Sequence, residues 1–131
     1  HGPGQLVFYF VLNLKKREKN IKKLISSIAK TIIDTLYHFK IKSFADRKNI
    51  GIWHNEDKDS KKVAAIGIKV KKWIAYHGFS INISNDLNEY KKIIPCGIKE
   101  KKVTNLNKIK KQNYKLIKNI LISNFLINIQ K

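Results

Sequence analysis

Three observations on this chain of 131 residues predict an α+β domain. One long segment repeats apolar residues at helical spacing. Several shorter apolar or β-branched runs alternate with polar turns. The connections between those runs are too short for crossovers and suit hairpins. Together they predict a mixed, largely antiparallel sheet with helices packed on one side.

The first element is a strand, Leu6 to Leu14, an almost unbroken apolar and aromatic run. Lys15 to Lys19 is a charged, solvated turn. Asn20 to Phe39 is the long helix, because Ile21, Leu24, Ile25, Ile28, Ile32, Leu36 and Phe39 recur at three- and four-residue steps. Lys22, Lys23 and Lys30 lie off that stripe. His38 ends the helix, where a histidine suits the local dipole. Short strands are expected at Lys40 to Phe44 and Ile50 to His54, with a polar loop at Asn55 to Ser60. Two longer strands follow, Lys62 to Val70 and Trp73 to Ile83, joined tightly through Lys71 and Lys72. Asp86 to Lys92 suits a helical turn capped by Asn85 or Asp86, and Asn113 to Ile129 a closing helix. No repeat or linker divides the chain, so residues 1–131 read as a single domain.

Composition narrows the functional classes. Hydrophobic residues make up 43% of the chain, which excludes wholesale disorder. The formal charge of +19 invites a nucleic-acid-binding reading, and a positive surface can steer acidic partners. Yet of 28 basic residues only Arg17 and Arg47 are arginines, the residues that grip phosphates and read bases. Lysine, isoleucine and asparagine are inflated together, as in an A/T-rich genome. The apolar stretch Leu116 to Ile129 is short and broken by Lys118, Asn119, Asn124 and Asn128, so it does not read as a membrane span. Four scattered histidines and one cysteine offer no metal-ligand spacing, and no Walker-type loop is present.

There is no methionine, and Cys96 is the only sulfur-bearing residue. A single cysteine forms no internal disulfide, which points to a reducing compartment such as the cytoplasm or an organelle matrix. Pro95 and Gly97 flank it and constrain a turn. A thiol there is either a small buried hydrophobe or a nucleophile. The opening His1-Gly2-Pro3-Gly4-Gln5, without methionine, leads us to expect a fragment lacking its N-terminal part, with a vector-derived leader as the rival explanation.

Four motifs occur in order: His1-Gly2-Pro3-Gly4-Gln5, Lys62-Val63-Ala64-Ala65-Ile66-Gly67-Ile68-Lys69, His77-Gly78-Phe79-Ser80-Ile81-Asn82 and Pro95-Cys96-Gly97. Gly51-Ile52-Trp53 precedes the lysine. In this order and spacing they resemble the lipoyl(octanoyl) transferases, octanoyl-[acyl-carrier-protein]:protein N-octanoyltransferases. The Arg-Gly-Gly segment and Thr-Tyr pair that the family carries before the first motif are absent from this chain. The resemblance implies the biotinyl/lipoyl protein ligase and transferase type of fold, lacking its N-terminal strands. It implies an acyltransferase of lipoate biosynthesis, with no bound cofactor and the acyl donor carried on phosphopantetheine. The partners implied are acyl carrier protein and the lipoyl domains of 2-oxoacid dehydrogenase complexes and of the glycine cleavage H protein.

By the same resemblance Cys96 is the acyl-thioester nucleophile. Lys62 lowers the thiol pKa from its ordinary value of about 8.5 and shuttles protons. His1, Ala65, Ile66, Gly67, His77, Gly78 and Phe79 contact substrate, and Phe79, Ile66 and Ile94 are candidate walls for the octanoyl tail. Strand alternation lets only one of Lys61 and Lys62 face a pocket, and the family register selects Lys62. Two other readings stand beside this one: a basic nucleic-acid-binding module, and a non-catalytic fragment of the transferase.

Overall fold

The computed structural model describes residues 2–88 and 102–130. Five strands form one sheet in the order β1-β5-β4-β3-β2, each ladder antiparallel. They are β1 (Gln5–Asn13), β2 (Phe44–Ala45), β3 (Ile52–Glu56), β4 (Asp59–Lys71) and β5 (Ile74–Asn82). The helices are α1 (Ile21–His38), α2 (Leu106–Ile109) and α3 (Ile117–Ile129). The expected α+β class and hairpin connectivity are both present.

Alternation along β1 sorts its side chains onto two faces. Leu6, Phe8, Phe10 and Leu12 face the core, while Tyr9 and Val11 are exposed on the opposite face. The same core face carries Ala64 opposite Ile81, Ile66 opposite Phe79 and Val70 opposite Ala75. Phe8 stacks on Phe79 with ring centroids 4.9 Å apart, and Phe125 of α3 lies 4.9 Å from Phe8. The aromatic trio joins helix to sheet, adding geometric preference to the area it buries.

α1 starts where Asn20 accepts the Lys23 amide at 3.0 Å, a cap worth about 1 kcal/mol. Leu24, Ile28, Ile32 and Leu36 of its predicted stripe are buried, each contributing about 1.5–3 kcal/mol. Against α3 the contact is partly polar. Asn124 donates to Thr35 Oγ1 at 3.1 Å and Asn128 to Thr31 Oγ1 at 3.3 Å, which satisfies groups buried between the helices.

Several expected boundaries differ. The loop expected at Asn55 to Ser60 shortens to Asp57 and Lys58, because β3 runs to Glu56 and β4 starts at Asp59, pairing as a hairpin. The strand predicted at Lys40 to Phe44 is only Phe44–Ala45. The preceding residues end α1 instead: Lys40 takes φ +66°, its amide donates to the Tyr37 carbonyl, and the Ile41 amide reaches the Leu36 carbonyl. That Schellman closure uses Ile41 as an apolar plug, so these residues cannot also pair in a ladder. The hairpin between β4 and β5 turns at Lys72 and Trp73, both left-handed, rather than at Lys71 and Lys72. α3 begins at Ile117 because Asn113 makes its own turn, accepting the Lys115 amide at 2.8 Å.

α2 was not expected. Asn105 caps it, and the Tyr114 hydroxyl donates to the Leu106 carbonyl at 3.1 Å. Burial pushes that phenol above its ordinary pKa, so it remains a donor into the alkaline range. The turn expected at Asp86 to Lys92 is present at Leu87 and Asn88, and the rest of it lies outside the described residues.

Candidate functional site around Lys62

Lys62 sits at a break in the sheet's regularity. Ile52 pairs with Ala64, but Trp53 pairs with Lys62, so β4 holds one extra residue, Val63. This bulge leaves Val63 and Ala64 both buried although they are neighbours in sequence. Bulges re-aim side chains in this way. Lys61 pairs its ammonium with Glu56 at 3.1 Å. Lys62 instead carries its ammonium over the Trp53 ring, 5.3 Å from the centroid. The two lysines thus go to different faces.

The backbone of Lys62 is tied to residues 102–104. Its amide donates to the Lys102 carbonyl and its carbonyl accepts the Thr104 amide, both at 2.9 Å. The ladder between β4 and β5 begins only at Ala64 and Ile81. Residues 102–104 therefore take over along β4 where β5 stops, through a parallel bridge between Lys62 and Val103. Lys102 also binds Asp59 at 2.5 Å, and that hydrogen bond holds the Asp59 carboxyl below the usual carboxylate range.

Two residues shape the channel for the Lys62 stem. Trp53 is fixed by its indole N–H, which donates to the Asn49 carbonyl at 3.0 Å. Gly51 has φ +143°, and a Cβ there would lie 2.8 Å from Lys62 Cε and 2.9 Å from the Ala64 carbonyl oxygen. Only glycine leaves room for the lysine along this path. Gly51→Ala is expected to push the Lys62 stem off the indole. The Lys62 side-chain protons are expected to lie upfield in the parent NMR spectrum, under the ring current of Trp53, and to move toward ordinary positions in the variant. Unchanged shifts would refute the channel.

The described part of the first motif closes against the same end of the sheet. The Ile83 and Ser84 amides both donate to the Gly4 carbonyl at 3.0 Å. Gly4 has φ +85°, and a Cβ there would lie 2.6 Å from the Asn85 nitrogen. Gln5 reaches across to Asn82, the last residue of β5, at 2.8 Å. The turn at residues 2–5, residues 83–85 and residues 102–105 thus meet beside Lys62.

The other expected site residues are distributed as follows. Ala65 and Gly67 are exposed, on the sheet face away from the helices. Ile66 and Phe79 lie on the opposite, helix-facing side, Phe79 buried in the aromatic stack. Gly78 is buried where β1 passes closest to β5. His77 is exposed beside Tyr76, with φ +72°, opposite Ile68. Its register places it about 20 Å along β4 from Lys62. Cys96, Ile94 and His1 lie outside the described residues. Sequence reasoning missed Gly51 and Trp53 as a channel, and Asn82, Asn85, Thr104 and Asn105 as neighbours of Lys62. Gly51 and Asn82 each lay in a quoted motif, which was the available signal. The asparagines of residues 85 and 105 were hidden by a composition rich in asparagine.

Among the described residues no helix is long and apolar enough to cross a membrane. No His, Cys, Asp or Glu residues group there as a metal site.

The profile of the lipoyl protein ligase A/B catalytic domain matches residues 1–125. A protein of Ehrlichia ruminantium named octanoyltransferase is 47% identical over 107 residues, covering 81% of this chain and 51% of the relative. An octanoyltransferase of Rickettsia peacockii is 46% identical over 112 residues, covering 83% of this chain and 54% of the relative. The chain spans about half the length of the curated relatives it matches. Among solved structures, a biotin protein ligase from Aquifex aeolicus superposes with a TM-score of 0.71 at 23% identity, over 98% of this chain and 53% of the ligase. A bi-partite lipoate protein ligase from Thermoplasma acidophilum gives 0.79 at 13% identity, over 99% and 53%. These two share the fold. The profile match over residues 1–125, with the two relatives above 45% identity, establishes that the chain belongs to the lipoyl protein ligase A/B catalytic domain family.

Proposed function

We propose that this chain carries the thiol and lysine of an octanoyltransferase that uses a cysteine relay. The observation that carries the reading is the placement of Lys62. A bulge aims it, glycine and tryptophan channel it, and its amide is bonded to Lys102, six residues after Cys96 in sequence. Covalent reach alone limits the separation of Cys96 from that anchor to about 20 Å. The named octanoyltransferases among the relatives support the acyl group, and the Pro95-Cys96-Gly97 sequence motif supports the nucleophile.

In this reading the Cys96 thiolate attacks the thioester carbonyl of octanoyl-acyl carrier protein. The carbon–sulfur bond to phosphopantetheine breaks and the leaving thiolate takes up a proton. A lysine amine of a lipoyl domain, in a 2-oxoacid dehydrogenase complex or a glycine cleavage H protein, then attacks the Cys96 thioester. An amide forms, the Cys96 sulfur leaves, and the amine loses a proton. Lys62 favours the thiolate by charge and passes the protons between these partners. The acyl group arrives already activated, so the mechanism calls for no nucleotide and no cofactor bound by the chain. Thioester exchange is nearly balanced and amide formation runs downhill. The exposed small residues Ala65 and Gly67 leave space on the helix-free face for the acyl donor to approach β4.

Intact mass after incubation with octanoyl-acyl carrier protein tests the proposal. The parent chain is expected to gain one octanoyl group, and Cys96→Ala to gain none. An unmodified parent, or an adduct that persists without Cys96, defeats it.

A further inference from the structure

A chain of hydrogen bonds runs from the first motif to Lys62, and one side chain joins its halves. Asn82 ends β5 and is buried. Its Oδ1 accepts from Gln5 Nε2 at 2.8 Å and from Asn85 Nδ2 at 3.3 Å. Its Nδ2 donates to the Thr104 carbonyl at 3.1 Å. The Thr104 amide in turn donates to the Lys62 carbonyl. At the other end, Gln5 Oε1 accepts the Gly2 amide at 2.9 Å. The orientation of the Asn82 amide is fixed by these neighbours, since flipping it would set its NH₂ against two donors and its oxygen against a carbonyl.

Residues 102–104 are not a strand of the sheet, and they meet β4 through the bridge to Lys62 and the Lys102 ion pair with Asp59. Asn105 adds a second tie by donating to the Asn85 carbonyl at 3.0 Å. Loss of the Asn82 donor would leave the Thr104 carbonyl buried without its partner, a larger penalty than the net value of the bond itself. Linked amides in a buried site also reinforce one another.

We propose that Asn82 is a positioning residue for Lys62: it clamps residues 102–104 onto the lysine's backbone and couples that clamp to the turn beginning at Gly2. The proposal rests on the reading of Lys62 as the proton-handling residue of acyl transfer. It adds an outer support that holds the lysine at the bulge, in register with whatever the Gly2–Gln5 turn contacts.

Asn82→Asp is the direct test on the full chain. It keeps the acceptor for Gln5 and turns the donor facing the Thr104 carbonyl into a second acceptor. The Lys62 and Thr104 amides should then exchange with deuterium about tenfold faster, relative to the Ile28 and Ile32 amides of α1. The rate constant for octanoyl transfer to Cys96 should fall about tenfold with the half-saturating donor concentration unchanged. Should the aspartate variant lose its helical dichroism, Asn82→Ser carries the same readouts without a repelling charge. Unaltered relative exchange overturns the clamp. Faster exchange with an unaltered transfer rate overturns the positioning role. If the parent chain takes up no octanoyl group, the transferase reading has failed, and the exchange rates alone still decide whether Asn82 holds Lys62.

Discussion

Replacing Gly78 with alanine is expected to detach β1 from the sheet. A Cβ on Gly78 would sit 1.9 Å from the Phe8 carbonyl oxygen and 3.0 Å from its carbon. The obstacle is backbone, so no side-chain rotation relieves it. β1 pairs with β5 continuously from Gln5 opposite Asn82 to Asn13 opposite Ile74. Displacing it would open the Phe8 stack on Phe79 and the contact with Phe125. It would also pull Gln5 from Asn82. The expected loss is about 4 kcal/mol or more, at the exceptional end for a single substitution. A urea titration followed by helical dichroism measures it. An unchanged midpoint would mean that the backbone at His77, already at φ +72°, absorbs the shift.

This close approach explains a motif glycine by packing alone. Gly78 supports the site by letting β1, and with it the Gly2–Gln5 turn, lie tightly against β5.

What the sequence exposes and what it hides follow from the range of the interactions. The α1 stripe is legible because every apolar residue in it answers to one helical period. β1 is legible because its apolar and aromatic run has strand length, although Tyr9 and Val11 of that run are exposed, and the β4–β5 hairpin is legible because only a short polar gap parts two such runs. The two-residue length of β2 is not legible, since Lys40 carries no glycine-like signal for the left-handed stop it makes. The bulge at Val63 is equally silent: the run Lys62-Val63-Ala64-Ala65 reads as a regular strand, and only pairing with β3 shows the extra residue. No motif in the sequence marks residues 102–105, yet the Lys102 carbonyl and the Thr104 amide bond to the backbone of Lys62. The place of Lys62 on a strand is legible through its motif. The devices that aim it come from segments far away in sequence, Gly51 and Trp53 on one side and Asn82 and Thr104 on the other.

Lys62→Met is expected to leave the fold standing and to slow acylation of Cys96. Methionine keeps an unbranched stem that can lie in the channel between Gly51 and Trp53, so the packing there survives. What disappears is the ammonium, and with it the attraction to the indole, worth about 0.5–1 kcal/mol at such a site. The neighbouring Lys61 cannot substitute, because its ammonium is turned to Glu56. The rate of octanoyl transfer to Cys96 should fall about a hundredfold to ten-thousandfold at neutral pH. The direction of rescue is fixed by the chemistry of a thiol. With an ordinary pKa of about 8.5, an unassisted thiol gains thiolate steeply between pH 7 and 9. A variant lacking the cation should therefore recover part of its deficit as pH rises, whereas a parent that already holds thiolate gains less. Stopped-flow acylation across that range separates the two roles of Lys62. A deficit that shrinks with pH assigns it to the thiolate, and a constant deficit assigns it to moving the proton of the leaving group or amine. A methionine variant that acylates at the parent rate at every pH removes Lys62 from the mechanism.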